Sequence, residues 1–455
     1  MNAHASLHHP VLLWGITLAL TGNAHAAGWL HVDDAMPESA NGGQHFGQAV
    51  AADRYADGSI RALYVGVPNA DVVAKGTTYS HAGRVDVLIP QGGWHVASTI
   101  THNMNNNWQA NAHFGAALAV RNGIIVIGAP NWDDVAHGHS EVGASVVYRD
   151  IDSGNPSQPV PNITALHELF YSTSPGTGAH RGDSVDVDGD ISSGAFIAVG
   201  APDYGGGTGC ADVFRLDLTT WALQGNACGT TAEKFGASVA IHANSGSYFH
   251  LVTGSPGKTQ NGNALAGEAN VYVLGSGDLM HVGTLKAQNP AFLDTFGTAV
   301  AIDADRVYIA GTGRNKPSVG RTGSVSLFDS GGYGFDRELF PGDGAAGDLC
   351  GASLSLDFAF PGSFAVGCPG SDGLVSGEGF ARVFTLGTFL GSPFWFQDRL
   401  DMSDIPHGAD DMGRSVLLAG DHVYAGAPLT EYFHANDVGV VRVFATDNIF
   451  RDGFQ

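Results

Sequence analysis

The sequence has little positive charge. Its 455 residues include 21 Lys and Arg against 44 Asp and Glu, so the formal net charge is −23. A surface of this sign repels phosphate groups, and we therefore expect neither nucleic acid nor an anionic membrane surface as a partner. Protonation of the 20 His would cancel most of this charge, so the net charge depends strongly on pH below neutrality.

Long helical patterns and long apolar runs are also scarce. Beyond the N-terminal stretch, no apolar run approaches the ~20 residues that span a bilayer, so we expect no membrane span. Glycine is abundant instead, with 65 residues. Because glycine supplies the positive φ angles of tight turns, this composition indicates many short strands.

The N-terminus has the pattern of a secretory signal. An apolar stretch runs from Val11 to Thr21, and Ala24-His25-Ala26 is a small-residue cleavage site. We predict a signal peptide over residues 1–26, and therefore a protein that is secreted, periplasmic or held at the cell surface. For the C-terminal tail, residues 448–455, a sorting or attachment signal and a frayed terminus both stay open.

Two short motifs recur in order seven times. The first is Phe-Gly followed by small and β-branched residues, as in Phe46-Gly47, and the second is Gly-Ala-Pro or a variant of it, as in Gly128-Ala129-Pro130. A strand between the motifs, a third strand after them and usually a fourth complete a unit of 54 to 68 residues. The first motif begins at Phe46, Phe114, Arg181, Phe235, Phe296, Cys350 and Met412.

Seven such units predict an all-β fold, a seven-bladed β-propeller of four-stranded antiparallel blades over residues 27–447. Only six fourth strands follow their units, and an unpartnered strand, Gly28 to Val32, precedes the first unit. We expect this N-terminal strand to complete the last blade beside Val441 to Phe444. Closure in this way removes two exposed sheet edges.

The repeat resembles the FG-GAP repeat of the integrin α-chain head, which is a seven-bladed β-propeller. The resemblance covers nearly all of the chain after the signal peptide, because both motifs recur in the same order in each unit. It implies a propeller that presents its loops to a ligand. Many repeats of this family also carry a calcium loop between their first two strands.

The third copy has the best remaining calcium-like loop. Asp186, Asp188 and Asp190 place carboxylates at alternate positions, a spacing that suits a hard cation. In the first copy, Arg61 falls on the last ligand position, where an arginine would pair with Asp53 and Asp57 and replace the cation. Calcium is therefore an open prediction for the third copy alone, and we expect no other cofactor.

The third copy also contains the adhesion tetrapeptide sequence, Arg181 to Ser184. Arg181-Gly182 occupies the Phe-Gly position of the repeat. We therefore predict that the tetrapeptide begins an innermost strand and is not an exposed recognition loop.

Four cysteines form two pairs of equal spacing. Cys210 and Cys228 are 18 residues apart, as are Cys350 and Cys368, and neither spacing is that of a metal-binding or redox pair. Aligned on the repeats, the second pair falls on adjacent antiparallel strands, and the first pair brackets a hairpin. We predict two disulfides, Cys210–Cys228 and Cys350–Cys368, formed in an oxidising compartment.

We predict that ligands bind the end of the propeller that carries the loops between second and third strands together with the connections between blades. In an up-and-down blade these two sets emerge at the same end. Packing of their aromatic rings back onto the rim is the alternative. The candidate ligand-binding residues are Trp108, Trp132, Asp133, Asp134, Tyr204 and Tyr432.

The sequence contains no nucleophile elbow and no complete phosphate-binding loop. We therefore expect an exported, monomeric, non-enzymatic binding or adhesion module, whose ligand is a protein or a glycan. One alternative is a propeller-type enzyme that acts on polysaccharide or lipid in its central funnel. Another is a structural component of the cell envelope. A structure that shows whether acids and histidines converge at one mouth of the channel would help to decide among these three functions.

Overall fold

The computed structural model describes most of the chain between residues 29 and 446. The predicted signal peptide, the C-terminal tail and Tyr432 lie outside the described residues. The described ranges are 29–38, 41–102, 108–169, 176–216, 220–244, 248–274, 279–357, 362–370, 377–389, 392–401, 410–431 and 435–446.

Short β-strands make up almost all of the regular structure. The strands up to the end of the third blade are β1 (Trp29–Ala35), β2 (Val50–Arg54), β3 (Ile60–Val67), β4 (Val72–Ala74), β5 (Thr77–Tyr79), β6 (Arg84–Pro90), β7 (Trp94–Ile100), β8 (Ala117–Arg121), β9 (Ile124–Ala129), β10 (Ala144–Asp150), β11 (Ile163–Leu169), β12 (Ser184–Asp190), β13 (Gly194–Ala201), β14 (Cys210–Leu216) and β15 (Trp221–Cys228).

The remaining strands are β16 (Ser238–Asn244), β17 (Tyr248–Ser255), β18 (Glu268–Leu274), β19 (Leu279–Leu285), β20 (Phe296–Ile302), β21 (Arg306–Gly311), β22 (Asn315–Lys316), β23 (Gly320–Arg321), β24 (Ser324–Asp329), β25 (Phe335–Leu339), β26 (Ser353–Leu356), β27 (Ser363–Cys368), β28 (Phe380–Phe389), β29 (Ser392–Leu400), β30 (Ser415–Ala419), β31 (His422–Ala427) and β32 (Val440–Thr446). The described residues contain one helix, α1 (Tyr204–Gly207). No helix in these ranges has the length and apolar character needed to cross a membrane.

Twenty-eight of these strands form seven four-stranded antiparallel blades, each with its first strand innermost, while β4-β5 and β22-β23 are two separate two-stranded sheets. Blade 1 is β2-β3-β6-β7, blade 2 is β8-β9-β10-β11, blade 3 is β12 to β15, blade 4 is β16 to β19, blade 5 is β20-β21-β24-β25 and blade 6 is β26 to β29. Blade 7 has the order β30-β31-β32-β1. This arrangement confirms the predicted all-β, seven-bladed propeller.

The last blade draws its outer strand from the N-terminal end of the described chain. β1 pairs with β32 in antiparallel register, from Trp29 opposite Thr446 to Ala35 opposite Val441. Outside the sheet, a parallel bridge also links Phe46 of blade 1 to Gly439 of blade 7. Equivalent bridges join each blade to the next around the ring, so the ring of blades is continuous.

The recurring glycines allow adjacent blades to approach closely. A Cβ atom added at Gly128 of blade 2 would overlap the carbonyl oxygen of Gly182 in blade 3, and the same holds for Gly200 against Gly236 of blade 4. The serine that follows several Phe-Gly pairs reinforces this contact, since the Ser184 hydroxyl donates to the Gly236 carbonyl at 2.9 Å. The Phe-Gly and Gly-Ala-Pro motifs are therefore the two halves of one inter-blade contact.

In the fifth copy, Gly311-Thr312-Gly313 stands in the sequence where other copies have Gly-Ala-Pro, but the structure shifts this alignment by one residue. In blade 4 the strand register places Ser238 opposite Gly254, whereas in blade 5 it places the equivalent Ala299 opposite Ala310. Ala310, and not Gly311, thus occupies the close-approach position. The Ala310 side chain faces Gly351 of the next blade. One of the two residues in this contact is therefore still a glycine.

The residue before each recurring glycine fills the space between blades. The four phenylalanines at this position are buried, as are Arg181, Cys350 and Met412, which replace phenylalanine in the other copies. Arg181 is 1 % exposed and forms an ion pair with Asp212, with Nη2 and Oδ2 2.9 Å apart.

The prediction that the adhesion tetrapeptide begins an innermost strand needs one correction. β12 begins only at Ser184, and residues 181–183 form the turn that precedes it.

Both predicted disulfides are present. Cys210 and Cys228 lie directly opposite each other on β14 and β15 of blade 3. Cys350, which precedes β26, is bonded to Cys368 at the end of β27. Each bond therefore joins neighbouring strands within one blade, and the described residues contain no free cysteine.

Candidate functional site

The central channel has two different ends. We call the end that carries the loops between second and third strands and the connections between blades the histidine mouth. We call the opposite end, which carries the turns between first and second strands, the funnel.

A ring of residues with left-handed backbone conformation surrounds the histidine mouth. Each ring residue immediately precedes the buried residue of the Phe-Gly position, and its φ lies between 50° and 58°. Residues other than glycine adopt such angles rarely, so the same local turn fixes all seven positions. The ring consists of His45, His113, His180, Lys234, Thr295, Leu349 and Asp411.

A second set of left-handed residues lies beside this ring and belongs to the preceding blade. The carbonyl oxygen of His81 accepts a hydrogen bond from the backbone N–H of His113 at 3.2 Å, and that of Glu141 accepts one from His180 at 3.1 Å. The carbonyl of Asp437 accepts one from His45 at 3.1 Å. Four histidines and two acids are thereby held on neighbouring inter-blade junctions of blades 7, 1, 2 and 3.

Asparagine and aspartate side chains orient these histidine rings through Nδ1. The Nδ2 atom of Asn69 lies 3.1 Å from Nδ1 of His45, and that of Asn131 lies 3.3 Å from Nδ1 of His113. Nδ1 of His81 contacts Oδ1 of Asn111 at 3.3 Å. Each of these three rings is therefore held at Nδ1 by an asparagine side chain.

The fourth histidine forms a charged group with its neighbours. Nδ1 of His180 lies 2.8 Å from Oδ2 of Asp203, which also pairs with Lys234 of the next blade. The hydrogen bonds from Lys234 and His180 lower the pKa of Asp203 although partial burial opposes them. Ion pairs to Asp203 therefore hold the side chains in this part of the mouth, whereas asparagine amides hold the other three histidine rings.

Burial keeps two of the histidines neutral. Desolvation lowers the pKa of His45 and of His113, and the nearby charge of His81 lowers both further. Asp437 and Asp411 act in the opposite direction on His45, as Glu141 does on His113. At neutral pH these two rings are therefore uncharged, and since Nδ1 accepts from an asparagine amide, Nε2 carries the proton.

The lumen below the histidine mouth carries one acid and one base. Asp183 of blade 3 and Arg414 of blade 7 occupy equivalent positions, two residues after the Phe-Gly position of each copy. Desolvation raises the pKa of Asp183, as does the charge of Asp203, whereas His180, Lys234 and, least of all, Arg414 lower it. The aspartate of the adhesion tetrapeptide thus belongs to the channel, and its arginine is buried between blades.

The structure brings some of the sequence-predicted binding residues together beside the histidines. The Trp108 ring stacks on Tyr79, with centroids 6.1 Å apart and planes 30° apart, and Tyr79 lies two residues before His81. Gln109 joins Trp108 to Asp133, because its Oε1 accepts from the Asp133 backbone N–H at 2.7 Å. Trp108 and Asp133 therefore lie at one rim of the mouth.

The other predicted binding residues differ in their roles. Trp132 is 5 % exposed and packs in the core of blades 1 and 2, so its prediction as an exposed anchor is wrong: the indole turns inward and fills inter-blade space. Asp133 and Asp134 stabilise their own loop, through the N–H of Glu141 and Nδ1 of His137. Tyr204 is half-buried at the start of α1, next to Asp203.

The funnel contains a cavity of about 1700 Å³. Its wall is apolar and repeats around the ring, and its rim is charged. At the rim, Nη1 of Arg54 in blade 1 lies 2.9 Å from Oδ1 of Asp357 in blade 6. The wall residues contributed by the innermost strands include Val50, Leu118, Val185, Val239, Val300, Leu354 and Val416.

The calcium-like loop of the third copy does not gather its acids around one point. Oδ2 of Asp186 accepts from the N–H of Ile241, and Oδ2 of Asp188 accepts from the N–H of Ala243, both in blade 4. Asp190 instead accepts from the hydroxyl and N–H of Ser192. No group of three potential metal ligands occurs among the described residues.

Side chains of the protein contact the carboxylate that a metal ion would otherwise bind. Nε of Arg121 lies 3.3 Å from Asp188, and Nδ1 of His242 lies 3.2 Å from it on the other side. In the first copy Arg61 pairs with Asp53, as predicted, but its second partner is Asp150 and not Asp57. The residues of these loops therefore do not fit a calcium ion as they are arranged.

Sequence reasoning missed the histidines of the mouth. His45, His113 and His180 share one signal, since each directly precedes the Phe-Gly position of its copy. His81 has the equivalent place two residues before the glycine that begins a third strand. Comparison with protein-family models and with curated proteins found no match to this chain.

Proposed function

We propose that the protein is an exported, non-enzymatic binding module of the FG-GAP propeller type, which presents the histidine mouth to a glycan or a protein. The convergence of His45, His81 and His113 with the stacked Tyr79 and Trp108 rings carries this proposal. Binding sites combine aromatic surface with a few fixed polar groups. Here the left-handed backbone turns hold the polar groups in place before any ligand arrives, which reduces the entropy lost on binding.

The outer strand of the last blade begins at the funnel. Trp29 and Thr446 lie opposite each other, and the N–H of Thr446 donates to the carbonyl of Asp421 at the funnel rim. The two disulfides favour an oxidising compartment outside the cytoplasm.

An enzyme that acts on polysaccharide or lipid in the funnel is the second candidate, and the cavity of about 1700 Å³ favours it. Catalysis by general acid and base needs carboxylates that reach the substrate. At the funnel, Asp357 is held by Arg54 and by the N–H of Gly420, and Asp53 by Arg61 and Ser153. Because these acids are engaged within the fold, we favour binding over catalysis.

Matched variants at the two ends test the proposal. Trp108→Ala and His81→Asn alter the mouth, whereas Tyr55→Ala and Asp57→Asn alter the funnel. On a glycan array and in pull-down experiments, we expect the mouth variants to weaken binding about tenfold or more, as loss of an anchor residue does, and the funnel variants to bind normally.

Three outcomes would contradict the proposal. Loss of binding only in the funnel variants would assign the wrong end. Release of products from polysaccharide or phospholipid, abolished by the funnel variants, would establish the enzyme. Absence of any ligand that depends on either end would favour a structural component of the cell envelope.

A further inference from the structure

We propose that the funnel binds a single-chain amphipath with a cationic ammonium head. The apolar chain of this ligand lies against the aliphatic wall, and its head lies beside Asp33 and Trp94 at the rim. This site goes beyond the proposed function, because it lies at the end of the channel opposite the histidine mouth and requires no reaction. A failure of this inference therefore leaves binding at the mouth unaffected.

The wall offers apolar surface at equivalent positions in all seven blades. Each innermost strand contributes one valine or leucine, at the fourth residue after the buried residue of the Phe-Gly position. A second tier lies two residues nearer the rim and includes Val120, Ile302 and Leu356. Val50 of the first tier lies four strand residues from Arg54 at the rim, a depth of about 13 Å. An alkyl chain that covers this concave surface removes it from water, which favours binding.

An aromatic group marks the rim where blades 7 and 1 meet. Trp94, at the start of the outer strand β7, packs edge to face on Tyr424, with ring centroids 5.5 Å apart. His422 stacks on the same tyrosine, with centroids 6.2 Å apart, and all three rings line the cavity. Trp94 is only partly buried, so part of its indole faces the cavity. The indole ring is the strongest aromatic partner of an ammonium cation.

The Asp33 carboxylate lies next to this aromatic group. A β-bulge in β1 directly precedes Asp33, and Asp33 lines the cavity. A Cβ atom added at Gly93 would lie 3.8 Å from Oδ2 of Asp33, so this oxygen is close to the turn that carries Trp94. Oδ1 of Asp33 accepts from the N–H of Asp34 at 2.9 Å, and the nearby Arg442 pairs with Asp34 instead. An ammonium head beside Trp94 is therefore also close to a carboxylate.

The charge of the lining favours a cation over an anion. The lining includes eight aspartates and three arginines, and a fourth arginine, Arg61, lies directly behind it. Hydrogen bonds within their own turns lower the pKa of Asp57 and of Asp190, so both are ionised at the rim. Burial raises the pKa of Asp186 to about 7, and with this group counted as neutral, seven aspartates still face four arginines. This excess attracts an ammonium head and repels an anionic one.

The site for the head adjoins the wall in blade 7. Tyr424 of β31 lies opposite Leu417 of β30, and the wall residue Val416 directly precedes Leu417. Neighbouring strands are about 4.8 Å apart. A ligand whose head contacts the Trp94 group can therefore place its first methylene groups on the wall, within the same cavity.

Matched surfactants test the site in the wild-type protein. Decyltrimethylammonium supplies the cation, decyl sulfate the anion and decyl maltoside the neutral head on the same chain, all below the concentrations at which micelles form. We expect calorimetry at low ionic strength to show binding of the cation and at least about tenfold weaker binding of the other two. The affinity should rise about fourfold for each CH₂ added between hexyl- and decyltrimethylammonium, because each buried CH₂ contributes to binding.

Two results of this comparison would overturn the inference. Equal or tighter binding of decyl sulfate would show that the site does not select a cationic head. An affinity that is independent of chain length would show that the chain does not bury itself against the wall.

Variants of the rim test where the head lies. Trp94→Ala and Asp33→Asn should each weaken decyltrimethylammonium binding about fivefold, and added salt should reduce the effect of Asp33→Asn. Phe335→Ala and Asp336→Asn are the matched controls. Phe335 begins the outer strand of blade 5, as Trp94 begins that of blade 1, and neither control residue lines the cavity of the described residues. Normal binding by both rim variants, or an equal loss in the controls, would overturn the placement of the head.

A photoreactive ligand locates the chain without variants. A decyltrimethylammonium analogue that carries a diazirine at the end of its chain should label peptides from the innermost strands, such as those with Leu354 or Val416. Excess decyltrimethylammonium should prevent this labelling. Labels that mass spectrometry finds mainly at the histidine mouth or on the outer strands would overturn the inference.

Discussion

Gly426 of the last blade packs against Gly47 of the first, so closely that a Cβ atom added at Gly426 would overlap the Gly47 carbonyl oxygen. The hydroxyl of Ser415 donates to the same carbonyl at 2.8 Å. This contact repeats the one found between other neighbouring blades, although the two residues are separated by almost the whole described chain. The ring thus closes through the same backbone contact that joins its internal blades.

Gly426→Ala should destabilise the protein by about 1–3 kcal/mol, because a methyl group must displace backbone at the closing junction. Gly334→Ala is the matched control, since a Cβ atom at Gly334 meets nothing within 4 Å and the backbone is not left-handed there. Thermal unfolding compares the two variants. Equal melting temperatures would contradict close packing at this junction.

Deletion of residues 27–35 should cause aggregation or loss of cooperative unfolding, because it exposes the edge of β32. A circular permutant is the control. It begins at Met36 and carries residues 29–35 after Thr446 through a short turn, which restores the hairpin that ends the other blades. We expect light scattering and melting curves to return to the wild-type behaviour in the permutant. An unchanged melting curve for the simple deletion would show that β1 does not stabilise the ring.

The sequence was sufficient to predict the number of blades, because close approach of backbones restricts the residues at each junction. Gly200 and Gly236 are needed whatever else the blades carry. The one-residue shift at Ala310 was not predictable, since the fifth copy offers both an alanine and a glycine, and only the strand register distinguishes them.

The mouth was harder to predict than the fold. His81 and His113 are 32 positions apart in the sequence, and the closure of two blades makes them neighbours. A sequence also does not show whether an aromatic residue in a loop is exposed or buried. Trp108 lies at the rim of the mouth and Trp132 lies in the core, although both occur in predicted loops of the same end.

Removal of one partner from the buried Arg181–Asp212 pair should cost about 3–5 kcal/mol, because it leaves an uncompensated charge between blades. Arg181→Phe therefore should unfold at a lower temperature than wild type. The double variant Arg181→Phe/Asp212→Val should recover wild-type stability or exceed it, since it restores phenylalanine and introduces the valine found at the equivalent Val146. Additive losses in the double variant would contradict direct coupling of the pair.

The adhesion tetrapeptide should be inert in cell attachment. Arg181 is buried between blades, so a receptor on another cell cannot contact the arginine side chain that this motif requires. We expect Asp183→Glu to leave any attachment unchanged at a constant melting temperature. Lost attachment by a folded Asp183→Glu variant would show that this segment is recognised.

Each disulfide closes a segment of 18 residues and should stabilise the protein by roughly 3 kcal/mol through the entropy of the unfolded chain. Cys350→Ala/Cys368→Ala and Cys210→Ala/Cys228→Ala should each lower the melting temperature under non-reducing conditions. Under reducing conditions the difference from wild type should shrink. Peptide mapping checks the pairing directly, and a Cys210–Cys350 linkage would contradict it.

Calcium chelation should leave the melting temperature nearly unchanged, because the Arg121 guanidinium and the His242 ring already contact the Asp188 carboxylate. Burial would raise the pKa of Asp188, but the His242 hydrogen bond, the Arg121 charge and two backbone N–H groups together lower it. Its ionised form is therefore stabilised in the folded protein. This stability is present above the unfolded pKa of about 3.9 and is lost as the pH falls through the lower folded pKa.

Asp188→Asn should consequently destabilise the protein by about 1.5–3 kcal/mol at neutral pH, and the difference from wild type should shrink as the pH falls through the lowered pKa of Asp188. Asp190→Asn is the control, because Asp190 bonds only its own turn through Ser192 and should change stability little. Thermal unfolding is measured with chelator, with added calcium and with neither. This comparison distinguishes a bound calcium ion at Asp188 from the contacts of Arg121 and His242. A chelator-induced drop above about 10 °C that Asp188→Asn removes would show that a bound cation, and not Arg121 and His242, neutralises this carboxylate.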